Sequence, residues 1–365
     1  RDIKMRKLFI TGESGMLATS IIKALEDCNQ VEFEVMDNSD LAEYTNDFSY
    51  LNGKLVKKKE VDVTDIDVLE KIGEKLCEDD IIIHTAAYVN TDKCDDFSYE
   101  AVNSNIISTQ YLIDLANNVG CKMIYFSTTA VFDPDEYMKN NGEFSEGAAI
   151  DPKTLYGLSK YSGELAVKQA MDFEKMMVIK PVFIYGDAPF DNSSMIRKIT
   201  EKVYCDKNSI KYTLSPLNAS GKLDVLLNPD IDKDYMRYEY FADMFLELLL
   251  MDNGWGKDFI FSKDNPVPFS EYLRNIEEIT GCYDLRDHIN IIPSGDYLAR
   301  HNGISKNFYK MFPYYKLPAA AYDNKEGIQK TYNSICKHYN YLEENNEKNN
   351  TANTKPIRQA RQFHI

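Results

Sequence analysis

The chain is short of positive charge: its 365 residues hold 42 Lys and Arg against 58 Asp and Glu, a net charge of −16. A surface this acidic repels phosphate backbones, which excludes nucleic-acid binding through a broad basic face. It still leaves room for a small anionic ligand, because backbone N–H groups at a helix N-terminus hold phosphate locally. Long apolar runs are missing as well. The most apolar stretches, 81–89 and 241–251, are broken by polar residues and fall well short of the roughly 20 apolar residues of a membrane span. No signal peptide is visible where RDIKMRKLFITG runs into a strand pattern, so the expectation is a cytoplasmic protein away from the membrane. The seven cysteines are odd in number and scattered, with no C-x-x-C pair, which points to reduced thiols and no structural zinc. Five dispersed histidines, among them His84 and His288, give no metal-ligand spacing, so no metal site is expected.

What is present is an ordinary globular composition, 44% hydrophobic and 27% charged, which excludes wholesale disorder. The length fits two domains, or one large α/β unit with an appended lobe. Strand and helix signals alternate through the first half: strands at Lys7–Thr11, Val31–Asp37, Leu55–Val63, Asp80–Thr85, Lys122–Ser127 and Met177–Pro181, with helices between them. This predicts an α/β fold with a parallel, doubly wound sheet over about 5–186, whose ligands lie beyond the carboxyl ends of the strands. After Asp187 the regularity drops, and 190–237 reads as polar and loop-rich. A smaller C-terminal substrate lobe over 187–341 is expected, interwoven with elements that return at about 240–262. The Asn- and Glu-rich stretch 343–365 reads as a solvated, mobile tail.

TGESGMLA (Thr11–Ala18) joins the first strand to the first helix. Gly12 permits a tight turn, Gly15 a close approach to a pyrophosphate, and Ala18 close helix–strand packing. Gly12, Ser14, Gly15, Met16 and Leu17 are the candidate phosphate cradle. Asp37 ends the second strand, 25 residues after Gly12. It reads either as a ligand of an adenosine ribose or as a strand-end turn residue. No arginine follows it, so NAD is preferred over NADP. Asp62 and Val63, at the end of the third strand, are candidates for contact with the adenine. Tyr88, Val89 and Asn90 lie just past a strand end, where a substrate pocket would open.

LYGLSKYSGE (Leu155–Glu164) sets Tyr156 and Lys160 four apart, on one helix face. An ammonium beside a phenol favours the phenolate and lets a tyrosine exchange protons near neutral pH. Taken alone, such a pair reads as an ordinary surface helix pair. It follows FSTTAVFD (Phe126–Asp133), where Ser127 and Thr128 leave the sheet at its carboxyl edge and place a hydroxyl where a substrate oxygen would sit.

In order, TGESGMLA, DVTD, IIIHTAAYVNTDKC, FSTTAVFD, LYGLSKYSGE and KPVFIYG resemble the extended short-chain dehydrogenase/reductase family, in its dTDP-4-dehydrorhamnose reductase-like nucleotide-sugar branch. The resemblance covers about 7–186 well and the rest more loosely. It implies a Rossmann domain with a C-terminal substrate lobe, a bound NAD or NADP, a nucleotide-sugar substrate and carbohydrate biosynthesis. It assigns Tyr156 as general acid/base, Lys160 as the residue that holds the nicotinamide ribose, and Thr128 as the active-site hydroxyl. It also places Ala86 and Ala87 under the ribose and Pro181–Val182 beside the carboxamide. Asn105 is preferred to Asn103 for the family's helix asparagine. Thr129 and Ala130 replace the usual Asp-Tyr after the Ser-Thr, so substrate contacts there, including Thr129, depart from the pattern, and the Asp-Glu pair of the dehydratases is absent. Lys180 stands where Arg is usual, and Ser108 where Gly is usual.

The expected reaction is NAD(P)-dependent reduction of a keto group, at C4, of a nucleotide-linked deoxy sugar. The alternatives are an epimerase or dehydrogenase with tightly held NAD, and a non-catalytic dinucleotide-binding regulatory subunit. Asn192, Arg197, Lys198 and Arg237 are candidates for the diphosphate. A homodimer through the helices at 99–119 and 153–173 is the expected assembly.

Overall fold

The computed structural model describes residues 5–28, 33–38, 40–51, 54–89, 98–134, 144–186, 194–230, 232–251, 253–293 and 306–353, with only the backbone described for 43–60 and 341–353. Its centre is a sheet of β1 (Arg6–Thr11), β2 (Phe33–Val35), β5 (Ile81–His84), β6 (Lys122–Phe126), β7 (Met176–Pro181) and β12 (Lys257–Phe261). The order is β12-β7-β6-β5-β1-β2 and every pairing is parallel. The chain leaves β1 towards β2, then returns to build β5, β6, β7 and β12 on the other side. The order therefore reverses between β1 and β5, and a crevice opens there beyond the strand ends.

Both faces of the sheet are covered, which is why its strands are apolar throughout rather than alternating. Leu8, Ile10, Ile83, Ile124 and Ile179 pack on one face against α1 (Met16–Asp27) and the helix Tyr238–Met251. Phe9, Ile82, Met123, Tyr125 and Val178 pack on the other, against α2 (Ile66–Lys75) and α4 (Ser108–Val119). The chain enters α4 through α3 (Ser98–Val102) and a π-helical turn, Asn103–Ile107. The next helix, α5 (Leu155–Lys168), is N-capped by Thr154, whose Oγ1 accepts the Gly157 N–H at 3.0 Å.

Three expectations need correction. The Leu55–Val63 run does not join the sheet. β3 (Glu43–Leu51) and β4 (Lys54–Glu60) pair antiparallel as a separate hairpin, because alternating apolar residues suit a two-stranded ribbon as well as a sheet strand. The stretch 190–237 is not mainly loop: α6 (Met195–Lys207) lies in it, burying Ile196, Ile199 and Val203 at helical spacing. The tail is helical further than its composition suggests, since the last helix, Asn324–Asn353, passes Glu343; 354–365 lie outside the described residues.

A second core holds the C-terminal elements together. Ile199, Val203, Tyr204, Leu223, Val225, Tyr272, Ile276, Ile289, Ile328 and Tyr339 form it. Its helices are α6, Phe269–Thr280 and Asn324–Asn353, with a parallel strand pair at Leu223–Leu226 and Ile289–Ile292. β12 and the helix before it belong to the sheet side, so the chain crosses between the two cores more than once. Among the described residues no helix is long and apolar enough to cross a membrane. No group of His, Cys, Asp or Glu among them is placed to hold a metal ion.

Candidate active site

Gly12 follows β1 with φ +69°, the left-handed region that costs a side chain energy. Space excludes one as well: a Cβ at Gly12 would lie 2.9 Å from the backbone N and Cα of Ala86, just beyond β5. The two strand ends are tied together. Thr85 Oγ1 donates to the Thr11 carbonyl at 2.6 Å and the Ala86 N–H donates to Thr11 Oγ1 at 3.1 Å. Gly15 N–H closes the turn on the Gly12 carbonyl at 2.8 Å. Gly15 is also the N-cap of α1, with no side-chain cap and no acidic residue in the first turn. The helix thus presents its N-terminal N–H groups uncapped beside a bare backbone turn, which suits a pyrophosphate. Ser14, Met16 and Leu17 are part-buried along this turn, and Ala18 is fully buried behind it.

The end of the crevice beside β2 is acidic. Asp37 is exposed just past β2, and Glu13 lies in the glycine turn. Burial, then the charge of Asp37, pushes the Glu13 carboxyl above its ordinary range. Asp62 is exposed, but its Oδ1 already accepts the Thr64 N–H at 2.8 Å and the Thr64 hydroxyl at 2.7 Å. Val63 is 8% exposed and belongs to the core under α2.

Behind the crevice lies a buried polar layer. His84, 0% exposed, sits between Thr11 Oγ1 at 2.9 Å and Thr109 Oγ1 at 3.0 Å. Burial, then the charge of Lys160, pushes its imidazole down to about 3, so it stays neutral. The π-helical turn carries Asn105, also fully buried. Its Oδ1 accepts the Tyr88 N–H at 2.7 Å, and its Nδ2 donates to the Tyr88 carbonyl at 3.1 Å and to Ser159 Oγ at 2.9 Å. A π-turn is rare and often marks a functional site. Here it lets one amide clamp the segment after β5 to α5. Ala86, Ala87 and Tyr88 are part-buried on that segment and Val89 is exposed; Asn90 lies outside the described residues.

Helix α5 brings Tyr156 and Lys160 to the same place. Tyr156 is part-buried, and Lys160 is 3% exposed. Burial pushes the Lys160 ammonium down to about 7, against the opposing effect of the Glu164 charge. Thr128 leads the turn Thr129–Val131, and its Oγ1 accepts the Ala130 N–H at 3.2 Å, leaving its own proton to donate. That turn packs directly on the start of α5: a Cβ at Gly157 would lie 2.6 Å from the Ala130 carbonyl oxygen. Thr129, at 2% exposure, is buried rather than open to the crevice. Pro181 is part-buried at the end of β7, and Val182 is buried with its N–H on the Phe261 carbonyl at 3.0 Å.

Two residues that pattern reasoning passed over hold this site from behind. Ser127 Oγ donates to Glu164 Oε2 at 2.7 Å, and Glu164 pairs with Lys168 and Lys180, each at 2.8 Å. Lys180 also meets Asp258 at 3.0 Å, so a short ammonium bridges two carboxylates where Arg was expected. Glu164 follows Lys160 by one helical turn, a signal available in the sequence. The second, Tyr125, is one of several apolar-facing residues on β6 and carries no such signal.

Two of the candidate diphosphate residues, Arg197 and Arg237, are taken up by ion pairs within the protein. Arg197 is 1% exposed and donates from Nε and Nη2 to Glu201 Oε2 at 2.9 and 2.8 Å, inside the second core. Arg237 pairs with Glu239 at 2.5 Å and donates to the Gly327 carbonyl at 2.7 Å, tying the last helix down. Lys198 is part-buried, and Asn192 lies outside the described residues. A basic residue in a polar stretch looks solvent-facing until its helix is placed.

A glycine turn at the switch point and a Tyr-x-x-x-Lys helix beside it define an extended short-chain dehydrogenase/reductase. Residues 5–207 match the family described as the RmlD substrate binding domain, and the chain belongs to that family. It is 29% identical over 160 residues to a dTDP-4-dehydrorhamnose reductase of Aggregatibacter actinomycetemcomitans, across 44% of this chain and 46% of that protein. The chain thus spans about half the length of such curated relatives, with 43 to 60% covered in the next two. Among solved structures, RMD from Pseudomonas aeruginosa with NADPH superposes with a TM-score of 0.68 at 15% identity, covering 91% of this chain and 99% of that one. A Bacillus anthracis dTDP-glucose 4,6-dehydratase with NAD gives 0.67 at 14% identity, covering 93% and 99%. At these identities the likeness is one of fold.

Proposed function

We propose that the protein is an NAD(P)-dependent oxidoreductase that reduces a keto group, at C4, of a nucleotide-linked 6-deoxy sugar. The observation that carries this reading is the packing of the Thr128 turn on the first turn of the Tyr156–Lys160 helix, beside a glycine turn that a side chain would block. When bound, the nicotinamide supplies the hydride. Tyr156 donates a proton to the alkoxide that forms, and Thr128 donates a hydrogen bond to the same oxygen. Lys160 holds the nicotinamide ribose, and its charge favours the tyrosinate left behind. Gly12, Ser14, Gly15, Met16 and Leu17 cradle the pyrophosphate. Ala86 and Ala87 floor the ribose, Asn105 holds Tyr88 in place, and Pro181–Val182 bound the carboxamide. The sugar lies against Val89 and Thr128.

The dTDP-4-dehydrorhamnose reductases among the relatives support this substrate class. NAD is the preferred cofactor, because Asp37 and Glu13 together make the adenosine end hostile to a 2′-phosphate. The test is reduced nicotinamide absorbance in the presence of nucleotide-activated 4-keto-6-deoxy sugars. Consumption of NADH supports the reading. No consumption, with stoichiometric NAD released on denaturation, replaces it with the epimerase reading.

The chain is also proposed to dimerise. Tyr99, Val102, Ile107, Leu158 and Leu165, exposed by 75, 40, 37, 49 and 38%, lie on the α3–α4 stretch and α5.

A further inference from the structure

We infer that Tyr125 is the positioning residue for Lys160: its ring holds the ammonium from beneath. The inference deepens the proposed role of Lys160 and takes its functional meaning from it.

Tyr125 is on β6, two residues before Ser127, and is 0% exposed. Lys160 Nζ lies 4.3 Å from the centre of its ring. Its hydroxyl donates to the backbone carbonyl of that same Lys160 at 2.9 Å. One ring therefore meets one lysine at both ends. The fit demands glycine nearby: a Cβ at Gly163 would come within 2.4 Å of the Tyr125 hydroxyl oxygen and 2.8 Å of the Asn105 carbonyl. Tyr125, Gly163 and Asn105 thus meet where α5, the π-turn and the sheet come together.

The need for such a device follows from burial. An ammonium stripped of water is driven towards its neutral form, and a neutral, wandering lysine neither holds a ribose nor lowers a phenol's pKa. The groups facing it are few. Glu164 and Tyr156 lie on its own helix; Glu164 favours the charge. His84 on β5 has its ring 5.8 Å from that of Tyr125, and it is neutral. Asn105 and Ser159 carry no charge. The face of Tyr125 adds attraction for a cation without adding a titrating anion next to the proton-transfer site. Tyr125 itself remains a phenol, because burial, then the charges of Glu164 and Tyr156, pushes its pKa well up.

The test is NMR of the intact chain enriched in [ε-¹³C]lysine, with the Lys160 signal assigned by its loss in Lys160→Gln. In the unmodified protein the Lys160 ε-methylene protons are expected clearly upfield of the other lysines, from the ring current. An unshifted signal overturns the inference without any variant having to fold. Tyr125→Phe keeps the ring and is expected to titrate at Lys160 within about 0.3 pH unit of wild type. Tyr125→Leu and Tyr125→Met, checked for folding by circular dichroism, are expected to lower that midpoint by about one unit, the scale of a desolvated cation–π contact. An unchanged midpoint in a folded Leu or Met variant overturns the inference, as does a Phe variant that shifts as far as Leu. The titration is read without substrate or turnover, so it stands or falls separately from the proposed reaction.

Discussion

Replacing Glu164 with glutamine removes one negative charge and almost no volume from the interior. Glu164 is 0% exposed and Lys180, beside it at 2.8 Å, is 1% exposed. Burial alone would raise the Glu164 carboxyl; the charges of Lys180 and Lys168 overcome this and hold it below the ordinary range. In Glu164→Gln the Ser127 hydrogen bond can persist, but Lys180 keeps only Asp258, whose side chain is 20% exposed, at 3.0 Å. Breaking a buried pair from one side costs about 3–5 kcal/mol; with Asp258 still offsetting part of the stranded charge, about 2–3 kcal/mol is expected. The assay is urea unfolding, read as a lower midpoint at unchanged slope. Glu164→Gln combined with Lys180→Met, which also removes the stranded cation, is expected to recover at least half of the loss. The pH dependence follows from the sign of the shift. A carboxyl lowered in the folded state contributes its stability above its unfolded pKa of about 4.3 and loses it as the pH falls through the folded value. The gap between wild type and Glu164→Gln should therefore be full at neutral pH and close in acid. A single variant within about 0.5 kcal/mol of wild type at pH 7, or a double variant that sums the two single losses, refutes the reasoning.

Gly12→Ala places a Cβ 2.9 Å from the Ala86 backbone at φ +69°. It should cost about 1–2 kcal/mol of stability from the backbone alone and weaken NADH binding at least about tenfold by fluorescence titration; unchanged binding contradicts the cradle. Asp37→Ala with Glu13→Gln should raise the NADP-to-NAD affinity ratio by about tenfold or more in calorimetry, and an unaltered ratio removes these carboxylates as the selectors. Sedimentation velocity should show a dimer that Leu158→Asp with Tyr99→Asp converts to monomer; a wild-type monomer at every concentration rules the proposed interface out.

Motif order led to the fold because each motif is a local event at a strand end. The glycine turn, the small pair after β5 and the Tyr-x-x-x-Lys helix need only their own segments to be recognised, and all lie along one edge of the sheet. Asn105 was preferred to Asn103 on its spacing, and it is buried with three side-chain hydrogen bonds. What stayed hidden depends on distant pairings. The run at 55–63 has the alternation of a strand, but pairing it with 43–51 instead of the sheet is a tertiary choice. Arg197 and Arg237 read as open cations because their carboxylate partners count only once a helix and a turn are formed. Tyr125 looks like any core residue until a helix 35 positions later lays Lys160 over it.

The most direct measurement is single-turnover oxidation of bound NADH by a nucleotide-activated keto sugar, in wild type and in Tyr156→Phe. Loss of the proton donor should slow the step by about 10²-fold or more while NADH affinity stays within a factor of about two. A Phe variant that turns over at the wild-type rate would mean that the proton comes from elsewhere, and the assignment of Tyr156, with the reaction built on it, would be wrong.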